Sequence, residues 1–190
     1  MSGSGRGCLV LVVGPSGAGK DSILEAAHHA LADDARFVFV RREITRPASA
    51  GGEPHVPISR DEFRKRADGG GYALSWEAHG LGYGLPVASL AGLAHGRAAI
   101  ANVSRSILDT ARQRFAPVCI VNVTVPGEIL ARRLAARGRE DADAIAGRLA
   151  RAEAYTVSGP DVRNLINDGP LERAVASFLE ILQAVALPKA

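Results

Sequence analysis

Several things are scarce in this sequence, and each scarcity excludes something. Its 190 residues suffice for one well-buried domain and are few for two. No apolar run approaches the ~18 residues of a membrane span. The run Cys8–Val13 is short and ends in a glycine-rich turn, so it reads as a core strand and not a signal peptide. A cytoplasmic protein without membrane association is expected. Cysteine is rare: Cys8 and Cys119 each sit in an apolar run, and their spacing fits no metal site. Buried, reduced thiols are expected. Aromatic residues make up 5%, and no basic stripe is interleaved with them. No nucleic-acid motif is present, so nucleic acid is not expected as a partner. Lysine is confined to Lys20, Lys65 and Lys189; the other basic residues are Arg, and the net charge is +3. Arg grips phosphate with two parallel N–H groups where Lys acts as a point charge. That composition suits phosphate chemistry, and an Arg- and Ala-rich genome would produce it equally.

What is present is an alternation of strands and helices. Cys8–Val13 is continuously apolar, as in a strand buried on both faces. Lys20 to about Leu31 reads as a helix with Ile23, Leu24, Ala27 and Leu31 on one face. Phe37–Val40, Ala98–Asn102, Pro117–Val123 and Arg163–Ile166 read as further strands. Ser104 is a good N-cap, Pro126 opens a helix to about Arg137, and a second helix spans Asp141 to Tyr155. Pro170 opens the last helix, with Val175, Phe178, Leu179 and Leu182 on one side. From Arg41 to about Leu85 periodicity is weak; Phe63 and Tyr72–Trp76 suggest a small helix and short strands in an inserted substrate-binding lobe. The alternation indicates an α/β fold with a parallel sheet.

The most specific signal is Gly14-Pro15-Ser16-Gly17-Ala18-Gly19-Lys20, which fits G-x-x-x-x-G-K between a buried strand and a helix. Glycines let the backbone wrap an anion with its N–H groups inward, and the helix N-terminus adds partial positive charge. Lys20 would reach the β- and γ-phosphates. The next position usually carries Ser or Thr for Mg²⁺; here it is Asp21, followed by Ser22. Either Asp21 contacts the metal, directly or through water, or Ser22 shares that role. An acidic first turn that simply suits the helix dipole is the alternative.

The loop, Thr45-Arg46-Pro47, Gly52-Glu53, Ile58-Ser59 with Glu62-Phe63, and Tyr83-Gly84 resemble guanylate kinases in order. So do the run 130–138, Arg148-Leu149 and Asn167-Asp168, the last near their adenine site. The resemblance covers essentially the whole chain. It implies a P-loop, nucleoside-monophosphate-kinase-like α/β fold: a five-stranded parallel sheet flanked by helices, with an inserted acceptor-binding lobe and a helical lid. One domain is expected, with core 7–40, 96–137 and 156–190, acceptor lobe 41–95 and lid 138–155. Yet the Glu that reads guanine in those enzymes is replaced by Leu74-Ser75-Trp76, and a site that loses a base-reading partner rejects that base. Gly19-Lys-Asp-Ser22, Ile44–Pro47, Gly52–His55, Ser75–Gly80, Tyr83-Gly84, Asn102–Arg105 and Arg137–Glu140 are similar instead to the ribose 1,5-bisphosphate phosphokinase family. That resemblance implies transfer of the γ-phosphoryl of ATP, with Mg²⁺, to the 1-phosphate of a ribose bisphosphate in phosphonate breakdown. Guanylate kinase and a non-catalytic binding module are the competing readings.

The resemblance assigns the loop 14–20, Asp21, Ser22 and Asn167 to the nucleotide and its metal. Arg46 leads the acceptor site, with Arg42, Glu53, His55, Ser75, His79, Tyr83, Ser104, Arg105 and Arg148 as company. Plainer alternatives stand beside some of these: strand-end charge for Arg42, packing for Tyr83, a turn for His79, an N-cap for Ser104. Arg133, Arg137 and Arg139 would approach the transferring group when the lid closes. The expected partners are small molecules, and the sequence sets no oligomeric state.

Overall fold

A computed structural model describes residues 5–50, 54–136, 147 and 156–186. Glu53, Arg137, Arg139 and Arg148, with nearly all of the expected lid, lie outside the described residues.

Five parallel strands form the main sheet in the order β2-β7-β1-β8-β9. These are β1 (Leu9–Val13), β2 (Phe37–Phe39), β7 (Ala98–Asn102), β8 (Val118–Thr124) and β9 (Val162–Ile166). Every residue of β1 is fully buried. Its side chains alternate between two cores, as strand geometry requires. Val10 and Val12 pack with Ile23, Ala27, Phe178 and Leu182, from α1 (Lys20–Ala30) and α5 (Leu171–Val185). Leu9, Leu11 and Val13 pack on the other face with Leu74, Trp76, Leu85, Ile107 and Leu108. α3 (Leu108–Arg114) lies on that second face, and α4 (Gly127–Ala136) follows β8. Cys8 and Cys119 are buried free thiols. Burial pushes both thiols upward, that of Cys8 to about 12, so neither is reactive. No helix among the described residues is long and apolar enough to cross a membrane.

The lobe is more regular than its sequence suggests. It is a four-stranded sheet, β4-β3-β6-β5, built from β3 (Glu43–Ile44), β4 (Val56–Pro57), β5 (Tyr72–Ala78) and β6 (Leu81–Pro86). His79 and Gly80 join β5 to β6 with φ of 52° and 73°, the left-handed pair of a tight two-residue hairpin turn. α2 (Arg60–Asp68) covers one face and is capped by Ser59, whose Oγ accepts from the Glu62 N–H at 3.2 Å. Gly82 and Gly84 break the apolar alternation of β6, which hides the strand in the sequence. A Cβ at Gly82 would stand 2.7 Å from the Phe63 ring, and one at Gly84 would stand 2.3 Å from the Tyr72 ring. These positions are therefore filled by aromatic rings from elsewhere in the lobe.

Candidate active site

The P-loop turns out of β1, at the carboxyl end of the parallel strands, where such sheets place ligands. β1 lies between β7 and β8, so the loop emerges at the centre of the sheet. Gly14 has φ +148°, and a Cβ there would meet the Val123 carbonyl at 2.3 Å. A Cβ at Gly17 would lie 3.0 and 3.1 Å from Leu130 and Leu134 of α4. Arg133 shares that helix face and brings a guanidinium nitrogen to 4.0 Å from the Cβ position of Gly19. Lys20 folds back over the loop: its Nζ donates to the Gly14 and Pro15 carbonyls at 2.8 and 3.0 Å. Thus Lys20, Arg133 and the glycines converge on one loop. Asn167 joins them from the end of β9, with its side-chain nitrogen donating to the Ala18 carbonyl at 2.7 Å.

Asp21 and Ser22 are both exposed in the first turn of α1. Asn102, at the carboxyl end of β7, donates to Asp21 Oδ1 at 3.0 Å. The sequence marks Asn102 only as part of a motif, and this tether from β7 to α1 gives it a definite place. Ser104 caps the 3-10 turn after β7, since its Oγ accepts from the Ser106 N–H at 3.3 Å. Arg105 opens that turn.

On the lobe, register decides what meets what. Ile44, Tyr83 and Trp76 are opposed across β3, β6 and β5 and so share a face. Tyr83 stacks on Trp76 at 5.4 Å with the planes 3° from parallel. The Arg42 guanidinium lies over both rings, 5.2 Å from Tyr83 and 5.8 Å from Trp76. This is a cation–π platform, and Arg42 is only 8% exposed. Ser75 pairs with Gly84, and Gly84 with Glu43, which puts Ser75 on the opposite face under α2. The structure does not bring Ser75 to Tyr83. His79 is exposed at the hairpin tip. The tip is tied to α2 by the Arg60 side chain, which donates to the Gly80 carbonyl.

Arg46 lines an open cleft of about 380 Å³ with Thr45, Pro47, Pro57, Ile58, Ser59 and Arg60. His55 holds it at two points. Arg46 donates to His55 Nδ1 at 3.3 Å, and His55 Nε2 contacts the Arg46 carbonyl at 3.0 Å. Arg can only donate and a carbonyl can only accept, so the two contacts together select the tautomer with its proton on Nε2. Arg46 Nε is buried with no hydrogen-bond partner among the described residues.

A carboxylate that sequence reasoning missed organises this lobe. Glu43 is 6% exposed; it accepts from Arg66 at 2.5 Å and from the Tyr72 hydroxyl at 2.6 Å. Burial, then the Glu43 carboxylate, pushes the Tyr72 hydroxyl well above its usual value, so it stays protonated and donates. A Glu inside a buried strand was the only signal of this network. Among the described residues no group of three His, Cys, Asp or Glu could hold a metal alone. A Mg²⁺ ion here would depend on Asp21, Ser22 and phosphate oxygens, which suits its preference for few protein ligands.

A parallel sheet with a P-loop at its centre and a sheet-bearing lobe defines a P-loop kinase of the guanylate-kinase-like class. In agreement, the fold matches the crystal structure of guanylate kinase from Anaplasma phagocytophilum with TM-score 0.64, covering 97% of this chain and 88% of that one at 20% identity. No protein-family profile matches the chain. Curated relatives are more specific. The ribose 1,5-bisphosphate phosphokinase PhnN of Acidiphilium cryptum is 50% identical over 182 residues, 96% of this chain and 94% of the relative. That of Methylobacterium radiotolerans is 46% identical over 178 residues, 94% and 98% of the two chains. The chain belongs to the ribose 1,5-bisphosphate phosphokinase family.

Proposed function

We propose that this chain transfers the γ-phosphoryl group of ATP to the 1-phosphate of ribose 1,5-bisphosphate, giving 5-phospho-α-D-ribosyl 1-diphosphate and ADP. The observation that carries this is kinship at 46–50% identity over nearly the full length with enzymes of that name. A 1-phosphate oxygen attacks the γ-phosphorus, and the bond to the β,γ-bridging oxygen breaks with its electron pair leaving on ADP. The nucleophile has a second pKa of about 6, so it is already ionised at neutral pH and needs no strong base. Catalysis is then positioning and charge neutralisation.

In this reading Lys20 exchanges the Gly14 and Pro15 carbonyls for the β- and γ-phosphates. Asp21, steadied by Asn102, and Ser22 would hold Mg²⁺, which neutralises charge on the triphosphate. Arg46, steadied by His55, takes one acceptor phosphate in its cleft, and the Arg42 platform faces the other part of the sugar bisphosphate. Arg133, beside Gly19, would approach the transferring group; Arg137, Arg139 and Arg148 would join it from the lid segment, and Glu53 would join the acceptor side.

A coupled assay for ADP release, with ribose 1,5-bisphosphate, ribose 5-phosphate and GMP as separate acceptors, tests the proposal. Turnover is expected with the bisphosphate alone. Turnover of GMP without the bisphosphate would make it a nucleotide kinase. No turnover by folded protein would favour a binding module.

A further inference from the structure

Asn167 is 4% exposed, which leaves little of it to meet a nucleotide base. Its own N–H donates to the Thr124 carbonyl at 2.9 Å, so the end of β8 fixes its backbone. Its side chain then reaches the loop at Ala18. A carbonyl can only accept, so the amide nitrogen, and not its oxygen, faces the loop. The Ala18 C=O and the Gly19 N–H belong to one planar trans peptide and point opposite ways. Drawing the Ala18 oxygen to Asn167 therefore turns the Gly19 N–H away from Asn167. Gly19 is shaped for this contact: φ is +88°, and a Cβ would lie 2.4 Å from Asn167 Nδ2.

We propose that Asn167 is a positioning residue. It locks the Ala18–Gly19 peptide so that the Gly19 amide is presented to a phosphate oxygen, and it does not read the base. This goes beyond the proposed reaction but rests on its reading of residues 14–20 as a phosphate cradle. Three probes separate the roles: ATP, GTP and inorganic tripolyphosphate, each titrated calorimetrically into the full chain.

Asn167→Ala should weaken all three by a common factor of about ten, the worth of one buried hydrogen bond. Asn167→Asp keeps the shape but turns an acceptor toward the Ala18 oxygen, and should weaken all three further. The KM for the acceptor should stay within about twofold, a split that general loosening of the fold would not produce. Weakening of ATP with tripolyphosphate unchanged would make Asn167 a base contact and overturn the proposal. So would equal, undiminished binding of all three. Wild-type protein that binds none of them would remove the cradle itself, and with it this inference and the proposed reaction together.

Should either variant fail to fold, isotope-labelled wild-type protein serves. Tripolyphosphate should move the Gly19 amide resonance. The Asn167 side-chain amide resonances should coincide in the ADP and GDP complexes, and a difference between the two would overturn the proposal.

Discussion

The loop 14–20 is held by main chain and shape, whereas the four-stranded lobe is held largely by charge. Around residues 14–20 the contacts are a carbonyl under Gly14, two leucines over Gly17 and an amide against Gly19. In the lobe they are a buried carboxylate between Arg66 and Tyr72, the Arg42 guanidinium on two rings and the His55 imidazole against Arg46. A triphosphate is bound largely by backbone N–H groups, so its cradle must be right in φ and ψ. A sugar bisphosphate carries charge at two ends, so its site must hold cations apart and in place.

Substitutions test that contrast directly. The largest effect should come from Lys20→Ala, with kcat/KM lower by at least roughly 10²–10³-fold and an unchanged melting curve. Retained transfer would take the loop out of the mechanism. Gly14→Ala adds a methyl against the Val123 carbonyl at a left-handed position, and should cost about 3 kcal/mol in denaturant unfolding. If the loop is held by shape, neither salt nor pH will restore it. Glu43→Gln should cost about 2 kcal/mol through the lost charged hydrogen bonds to Arg66 and Tyr72. An unchanged melt would mean that charge does not organise the lobe.

His55→Ala should raise the acceptor KM about tenfold, the worth of about one hydrogen bond, and leave the KM for ATP alone. A rise in both would erase the division between the regions. The smallest effect lies outside both. Arg112 holds Asp161 at 2.9 Å and lowers the carboxyl below its ordinary 3.8. A depressed carboxyl stabilises above its unfolded value and loses that contribution as pH falls through the folded one. The melting difference between wild type and Arg112→Ala should be full above pH ~5 and close below 3.8, and it amounts to about 1 kcal/mol or less. A difference that grew toward acid would reverse the sign.

The same contrast explains what was legible in the sequence. The loop was read in full because its glycines, lysine and flanking elements are contiguous. The parallel sheet is legible from apolar runs such as Leu9–Val13, which need no partner to be recognised, and its five strands follow from the resemblance. The lobe was read as irregular because its order comes from distant pairs, such as Glu43 with Tyr72, 29 residues on. Arg42 and Glu43 sit where apolar residues would mark a strand, so pattern reading passes over β3. Asn167 is assigned to the nucleotide by resemblance alone, because its side-chain partner, the Ala18 carbonyl, lies 149 residues away. Ser75 was grouped with Tyr83 by motif, and only register separates the faces they occupy.

The glycines on either side of Tyr83 also guard the register of the hairpin. A slip of one residue between β5 and β6 would drive the Tyr83 ring into the space that Phe63 or Tyr72 fills. Misaligned hairpins are thereby rejected by collision, before any ligand is involved. Two missing side chains act as a key for assembly, and the residue between them arrives on the inner face because it fits nowhere else.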